Sequence, residues 1–498
     1  LTLQGLVDEL SEAMDLFQNY SQFPESYSAP SADIYAQLLI KNAVGLTDSV
    51  NSVLADSDIT IGADVLNEVQ ALVEGYQALN DYVEGVVDAL VPTAQSLAAL
   101  GVTQLSDARS EAFLVELLPQ LEVADVDRVV KLEAYADAIN ALFYTADADH
   151  TVIVNDSQAI TLAQLVLLGH TIDAADYTTF ISFIAEQGDA KVIDTSTLAA
   201  TVDAVVTATA RIAEYSDDPV AAVDTANGGL GAPTAQDYAV VLSGTGIAAV
   251  DVDALNSVLA DDDIVVGSTD LQGEVRTVVV AYNAILSAAD GIENDAALAT
   301  SELTDVGVNP LSADSDMNRL LLDVIDQRQA VEVDTTLELQ ALNDAINALQ
   351  VTINGTPTIT DAQLALIGIT GATVDNLDAI QITLAEGTTS DYDTLANVQA
   401  RVTQTVTALN RLTAHSTLDA DAANNPQLQE YVDAGISGVS DKNLLAVNAQ
   451  LRLMAELTDK NSAAEIQAIV TAANDAIAVI THFTAGDTAL SVAQYEAA

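Results

Sequence analysis

A stop-and-restart signal that recurs along the whole chain limits what it can fold into more than any other feature. It is plainest in Pro426–Leu451, PQLQEYVDAGISGVSDKNLLAVNAQL. Pro426 suits a first helical position, Gly435 a left-handed C-terminal cap, and Ser440 the N-cap of the next helix. Aligning the chain on this helix stop puts Asn42, Gly101, Gly169, Gly246, Gly307, Gly368 and Gly435 in one column, spaced on average about 65 residues apart.

The flanking positions agree. Four residues before each stop stand Leu38, Leu97, Leu165, Leu242, Leu303, Leu364 and Tyr431, and the residue after it is mostly β-branched, with Ala43 and His170 as exceptions. Four or five residues beyond the stop, Thr47, Ser106, Asp173, Asp251, Ser312, Thr373 and Ser440 are each able to cap a second helix. The residue before that cap is usually apolar, the place for a hydrophobic staple. A longer amphipathic helix follows. Val69, Leu72, Val73, Tyr76 and Leu79 form a helical stripe that Val275, Val278, Val279, Tyr282 and Ile285 repeat, and Ile466, Ile469, Val470, Ala473 and Ile477 echo it. Two links between the second and third helices, Asn51–Gly62 and Asn256–Gly267, are nearly identical.

The expected fold is therefore all-α: an extended tandem array of three-helix bundles of about 65 residues each. Complete copies are expected over residues 25–91, 92–158, 159–232, 233–299, 300–356, 357–425 and 426–488. Residues 1–24 carry the stripe of a third helix, and 489–498 resemble the start of a first helix, so the chain reads as a segment of a longer array. Proline-led starts follow links such as Thr225–Thr234, read as hinges.

Charge narrows the function. Against 74 Asp and Glu stand 14 Lys and Arg, a formal net charge of −60. Such a surface repels nucleic acid and anionic lipid, and suits high ionic strength, where screening lengths fall to about 3 Å. Cysteine is absent, which excludes disulfides, thiolate metal sites and cysteine nucleophiles. No apolar run reaches about 18 residues, so membrane insertion is not expected.

Units such as EYVDAGISGVSDKNLLAVNAQL, AQLALIGITGATVDNLDAI and ALNDAINAL resemble the Ala- and Asp-rich helical repeats of giant surface adhesins and matrix proteins of Gram-negative, often marine, bacteria. The resemblance covers nearly the whole chain but rests on caps and core positions. It implies a secreted or cell-surface location and a spacer or assembly role, and carries over no site residues.

Motifs of catalysis are missing: there is no HExxH, GxSxG or P-loop, and His150, His170, His415 and His482 are not spaced as metal pairs. Asp147, Asp149, Asp261, Asp262 and Asp263 are the candidates for weak Ca2+ binding, although none fits an EF-hand loop, and helix capping is the simpler use of such aspartates. No other cofactor is expected. The sequence points to a non-enzymatic extender of a bacterial adhesin. Its alternatives are a subunit of a self-assembling filament, sheath or surface layer, and a set of protein-binding three-helix modules. Expected partners are neighbouring repeats and other copies of the chain.

Overall fold

A computed structural model describes residues 2–57, 59–105, 107–147, 158–245, 251–261, 264, 266, 270–292, 298–415, 425–453, 462–483 and 491–492. Among the described residues the chain is helical and contains no strand. After a long α1 (Leu3–Gln22), the helices run short, middle, long. They are α2 (Ala32–Gln37), α3 (Thr47–Leu54) and α4 (Val65–Val83), then α5 (Ala94–Ala99), α6 (Ala108–Leu117) and α7 (Val129–Ala146). Next come α8 (Leu162–Leu167), α9 (Ala174–Gln187) and α10 (Thr195–Asp217), with an extra short α11 (Pro219–Val223). The order resumes with α12 (Ala235–Val241), α13 (Val252–Leu259) and α14 (Leu271–Ala288), and α15 (Thr300–Asp305), α16 (Ser315–Asp326) and α17 (Thr336–Ile353). It ends with α18 (Asp361–Leu366), α19 (Leu377–Leu384) and α20 (Leu395–Ala414), and α21 (Leu428–Asp433), α22 (Leu444–Leu453) and α23 (Ala463–Thr481). The chain divides into two compact units, residues 1–248 with 266–276, and residues 249–265 with 277–498.

Helices of six or seven residues are too short to persist alone, so their ends must be secured. Thr93, Thr161, Thr234 and Thr360 cap α5, α8, α12 and α18 by accepting from the third helical N–H, and the side chain at that third position answers the cap N–H. The fourth helical residue is Tyr35, Leu97, Leu165, Tyr238, Leu303, Leu364 or Tyr431, and each is at most 1% exposed. At the far end the chain closes back on that same residue. Val102, His170, Val308, Ile369 and Ile436 donate to the carbonyls of Leu97, Leu165, Leu303, Leu364 and Tyr431 at 2.8–3.0 Å.

This geometry corrects the sequence register in two places. In the first copy the left-handed stop is Leu39 (φ 56°), Ile40 donates to the Tyr35 carbonyl, and Tyr35 takes the buried place assigned to Leu38. Asn42 is also left-handed, but it lies three residues later. In the fourth copy α12 continues to a C-cap at Leu242, so Tyr238 is the buried anchor, and Gly246 lies outside the described residues.

The N-caps shift too. Asp173 and Asp251 cap α9 and α13 with their carboxylates. Asp314, not Ser312, caps α16; the Ser312 hydroxyl instead accepts from the Asp314 N–H at 2.9 Å and donates to Gln350 at 2.8 Å. Asn376, not Thr373, is the N-cap of α19, and its amide ties Thr373 N to Gly371 O across the turn. Thr47 is the first helical residue of α3, Ser106 lies outside the described residues, and Asp107 caps α6. Ser440 keeps a capping role, since its carbonyl accepts from Leu444 at 2.9 Å while Asn443 accepts from its N–H at 2.6 Å.

Pro30 and Pro426 stand two residues before their helices, and their carbonyls accept from the middle helices. Asn51 donates to Pro30 O at 2.8 Å and Asn448 to Pro426 O at 2.9 Å. The same two amides accept from the buried hydroxyls of Tyr35 (2.9 Å) and Tyr431 (2.6 Å). Gln381 does the same for Ile359 O at 2.7 Å, and the Tyr177 hydroxyl for Ile160 O. Tyr35 and Tyr177 therefore fasten a short helix to the middle helix that follows it.

The core does not divide at each link. Ala379 of α19 and Ala408, Leu409 and Leu412 of α20 share one buried cluster with Tyr431, Val447, Leu451, Ile466 and Val470 of α21–α23. α23 is long and apolar enough to pass a length-and-composition test for a membrane span, because Ala, Ile and Val dominate it. Its stripe, Ile466, Ile469, Val470 and Ala473, is buried in that cluster. The link at Thr225–Thr234, expected as a hinge, is tied down: Gly231 donates to Ala222 O at 2.8 Å, Gly229 to Asp224 O at 3.1 Å, and Arg211 to Leu230 O at 3.0 Å.

Asn448→Ala leaves both the Tyr431 hydroxyl and the Pro426 carbonyl buried without partners. It should lower stability by about 2–4 kcal/mol in chemical denaturation. Tyr431→Phe added to Asn448→Ala should cost much less than Tyr431→Phe alone, because the hydroxyl has already lost its acceptor.

Candidate functional site: the glycine corner between neighbouring helix sets

The turn that ends a short helix is, in several copies, also where one set of helices meets the middle-helix region of the set before it. Gly101, Gly169, Gly307, Gly368 and Gly435 all have φ between 71° and 96°, the left-handed region where a Cβ is disfavoured. Gly101 and Gly435 are crowded as well, while Gly307 and Gly368 leave room for ordinary contact. A Cβ on Gly101 would lie 2.7 Å from Val129 Cγ2 and 3.3 Å from Asp56 Oδ2; one on Gly307 would meet Asp261 and Ile264 at 3.4 Å. On Gly368 it would meet Leu395 at 3.4 Å, and on Gly435 it would lie 2.9 Å from Ile382 Cγ2 and 3.2 Å from Thr383 Cγ2. Gly244 (φ 76°) lies against Ser182 and donates to Glu186 at 2.7 Å. Gly169 alone of these has open space around it.

A long helix locks the strand of backbone just past the corner. Gln399 accepts from Thr370 N at 2.8 Å and donates to Thr370 O at 3.1 Å, so one side-chain amide pairs with both backbone groups of a single residue. Gln467 treats Ser437 identically at 2.8 and 3.1 Å, Gln70 holds Lys41, and Gln340 accepts from Asn309 at 3.0 Å. These glutamines follow the residue they hold by 29–31 positions. That spacing is a readable signal that the stop-and-cap pattern did not reveal.

Successive sets are joined a second time at the start of the long helix. Its first residue donates to the middle helix of the preceding set: Val129 N to Ser52 Oγ at 3.1 Å, Thr195 Oγ1 to Glu116 at 2.6 Å, and Leu395 N to Asp323 at 2.6 Å. These bonds supply partners to helix-terminal groups that lack them within their own helix.

Scarce cations gather at the same joints. Arg211 of α10 is bidentate to Asp237 of α12 at 2.7 Å, in a pair whose carboxylate is 8% exposed. Arg411 of α20 meets Glu430 of α21 at 3.6 Å, Arg319 of α16 meets Asp393 at 2.6 Å, and Arg109 of α6 reaches Asp189 while lying over the Phe143 ring. Arg328 donates to the Leu366 carbonyl beside the Gly368 corner. Asp314 adds a bond from the Thr389 hydroxyl at 2.8 Å. That hydroxyl, with the N–H groups of Asp316 and Met317, holds the Asp314 carboxyl below the usual carboxylate range despite slight burial.

No known protein family, curated protein or solved structure matches this chain.

Of the expected Ca2+ candidates, Asp147 and Asp261 are among the described residues. Asp147 is the C-cap of α7, and Asp261 borders the Gly307 corner. Asp149, Asp262 and Asp263 lie outside the described residues. Among the described residues no three His, Asp or Glu side chains are placed to hold a metal ion. His170 occupies the residue after a stop, and burial lowers its pKa, outweighing the opposing pull of Asp203. His482 contacts the Ala478 carbonyl at 2.7 Å at the end of α23, His415 is the buried C-cap of α20, and His150 lies outside the described residues. What the corner provides is hydrogen bonding and close apolar contact, the means of fixing one helix set on the next.

Gly435→Ala should cost about 2–4 kcal/mol, the sum of left-handed strain and overlap with Ile382. Gly371→Ala, at φ 88° with nothing within 4 Å of the added methyl, should cost only about 1–2 kcal/mol. Adding Ile382→Ala should recover part of the Gly435→Ala loss and none of the Gly371→Ala loss, as read by denaturant midpoints. The depressed Asp314 pKa sets a pH test. A carboxylate whose folded pKa lies below its unfolded value, about 3.9, contributes stability above that value and loses it as pH falls through the folded pKa. The stability gap between wild type and Asp314→Ala should therefore be full at pH 6 and shrink below pH 4.

Proposed function

We propose that the chain is a non-enzymatic structural region of a large secreted or cell-surface bacterial protein, a tandem array of three-helix repeats that extends an adhesin away from the cell. The observation that carries this reading is the corner itself. The most regular positions in the chain, the glycine stops, the amide clamps and the joint arginines, are used to fix one helix set on the next. In a repeat array each repeat needs its neighbours for stability, and the polypeptide behaves as one continuous spacer. The secreted location and the adhesin context come from the resemblance of the repeats. A net charge of −60 supports a chain held apart from its copies in dilute buffer and tolerant of salt.

A second reading, subunits assembling into a filament, sheath or surface layer, rests on one observation. Along α1 the apolar residues Leu3, Leu6 and Val7 are exposed, Leu3 by 80%. An apolar stripe on a helix is ordinarily covered.

Small-angle scattering with size-exclusion chromatography and light scattering, in dilute buffer and in molar NaCl, tests the choice. The extender reading expects a monodisperse monomer of 51.8 kDa, elongated at both salt concentrations. Ordered polymers that grow with protein concentration would replace it with the assembly reading, and a compact monomer would remove both.

A further inference from the structure

We infer that the groove between the Leu39–Leu46 turn and α4 is a docking site for a cationic amphipathic helix of another protein. Sequence register and packing place the same groove in several sets, between the turn after a short helix and the long helix that follows. Beside α23 it is filled: Asn474 donates to Gly438 O at 2.9 Å and accepts from Asn443 at 2.5 Å, crossing from the long helix to the turn. Beside α20 the corresponding residue is Val406, and a groove of about 410 Å³ stays open between it and Asn376. Beside α4 the residue is Gln77, which turns along its own helix to Asp81 at 2.7 Å, and a groove of about 230 Å³ runs from Asn42 past Val73 to Leu90.

The link that closes the groove beside α4 lines it with Ala89 and Leu90, and Leu90 is 76% exposed. Val87, at 86% exposure, and Val91 stand on the same link. The link that presents them is ordered: Val86 donates to Asp81 O at 2.8 Å and Ala89 to Val86 O at 3.0 Å. Several large aliphatic side chains held outward along one short link beside a groove mark an interaction surface.

Charge selects the occupant. Glu74, Asp81 and Asp88 line the groove, and no Lys or Arg does; Lys41 stands beside it on the turn. An apolar stripe flanked by Lys or Arg would cover the aliphatic residues and face these carboxylates. A second copy of this chain would bring its own charge of −60 to the same place.

The probe is a synthetic 18-residue helical peptide with Leu on one face and Lys on the other, titrated into the whole chain by fluorescence anisotropy in 0.15 M and 0.5 M NaCl. A scrambled peptide of the same composition controls for charge alone. The expected result is one-site binding at least about tenfold tighter than the scrambled peptide, and about tenfold weaker in Val87→Ser/Leu90→Ser. Leu337→Ser, a residue 79% exposed on α17, should leave binding unchanged. Hydrogen-exchange protection on binding should fall on residues 84–91, a readout that holds even if the double variant proves less stable. Equal binding of the scrambled peptide, unchanged binding in the double variant, or protection elsewhere would each overturn the proposal. So would a concentration-dependent dimer of the free chain that the double variant abolishes.

Discussion

The joints of this architecture depend on a backbone that turns left where neighbouring helices come close. At Gly101 and Gly435 the positive φ and the close approach of neighbouring side chains fall on the same residue. Either demand alone could be met another way. Leu39 and Asn42 adopt left-handed φ with side chains attached, and Gly169 has space to spare. Where both demands coincide, only glycine lets the turn end one helix and seat against the previous set. The local rule that stops the helix is thereby also the rule that spaces the sets.

Electrostatics follows from that geometry. With 14 basic residues against 74 acidic ones, most carboxylates cannot be paired with a cation. The arginines are not scattered evenly over this surface. Arg109, Arg211, Arg319, Arg328 and Arg411 all reach from one helix set to the next. They differ in worth. Arg211 and Asp237 are shielded and bidentate, so removing one partner would strand a buried charge. Arg319 is 58% exposed, and its pair with Asp393 is screened by salt. In concentrated salt the repulsion among carboxylates and the weaker joint pairs fade together, while the corners, which rest on packing and backbone bonds, persist.

Helix type, order and approximate length were legible in the sequence because stops and amphipathic stripes are local. The all-α class, the buried Val69–Leu79 face and the caps at Asp173 and Asp251 all follow from such patterns. Register was legible only where glycine marked it. At the first copy a leucine does the turning, and the residue type that usually marks a stop stands three positions later, at Asn42. Near Ser312 the Asp314 carboxylate reaches the first-turn N–H and takes the cap, and near Thr373 the cap position falls to Asn376, whose side chain reaches back across the turn. The joints were the least legible part. They pair residues such as Asp323 with Leu395, 72 positions apart, and such spacing has no periodic signature.

The same joints bear on what stability means here. A six-residue helix such as α21 cannot form by itself, and its anchor Tyr431 is buried among residues of α20, α22 and α23 together. Its fixing groups come from both directions: Asn448 and Gln467 from the helices that follow, Arg411 and the Ile382 surface from those that precede. Losing one corner therefore exposes apolar surface on both sides of it. Within each compact unit the corner couples neighbouring sets, so that unfolding spreads along the chain from a damaged joint instead of stopping at the nearest link.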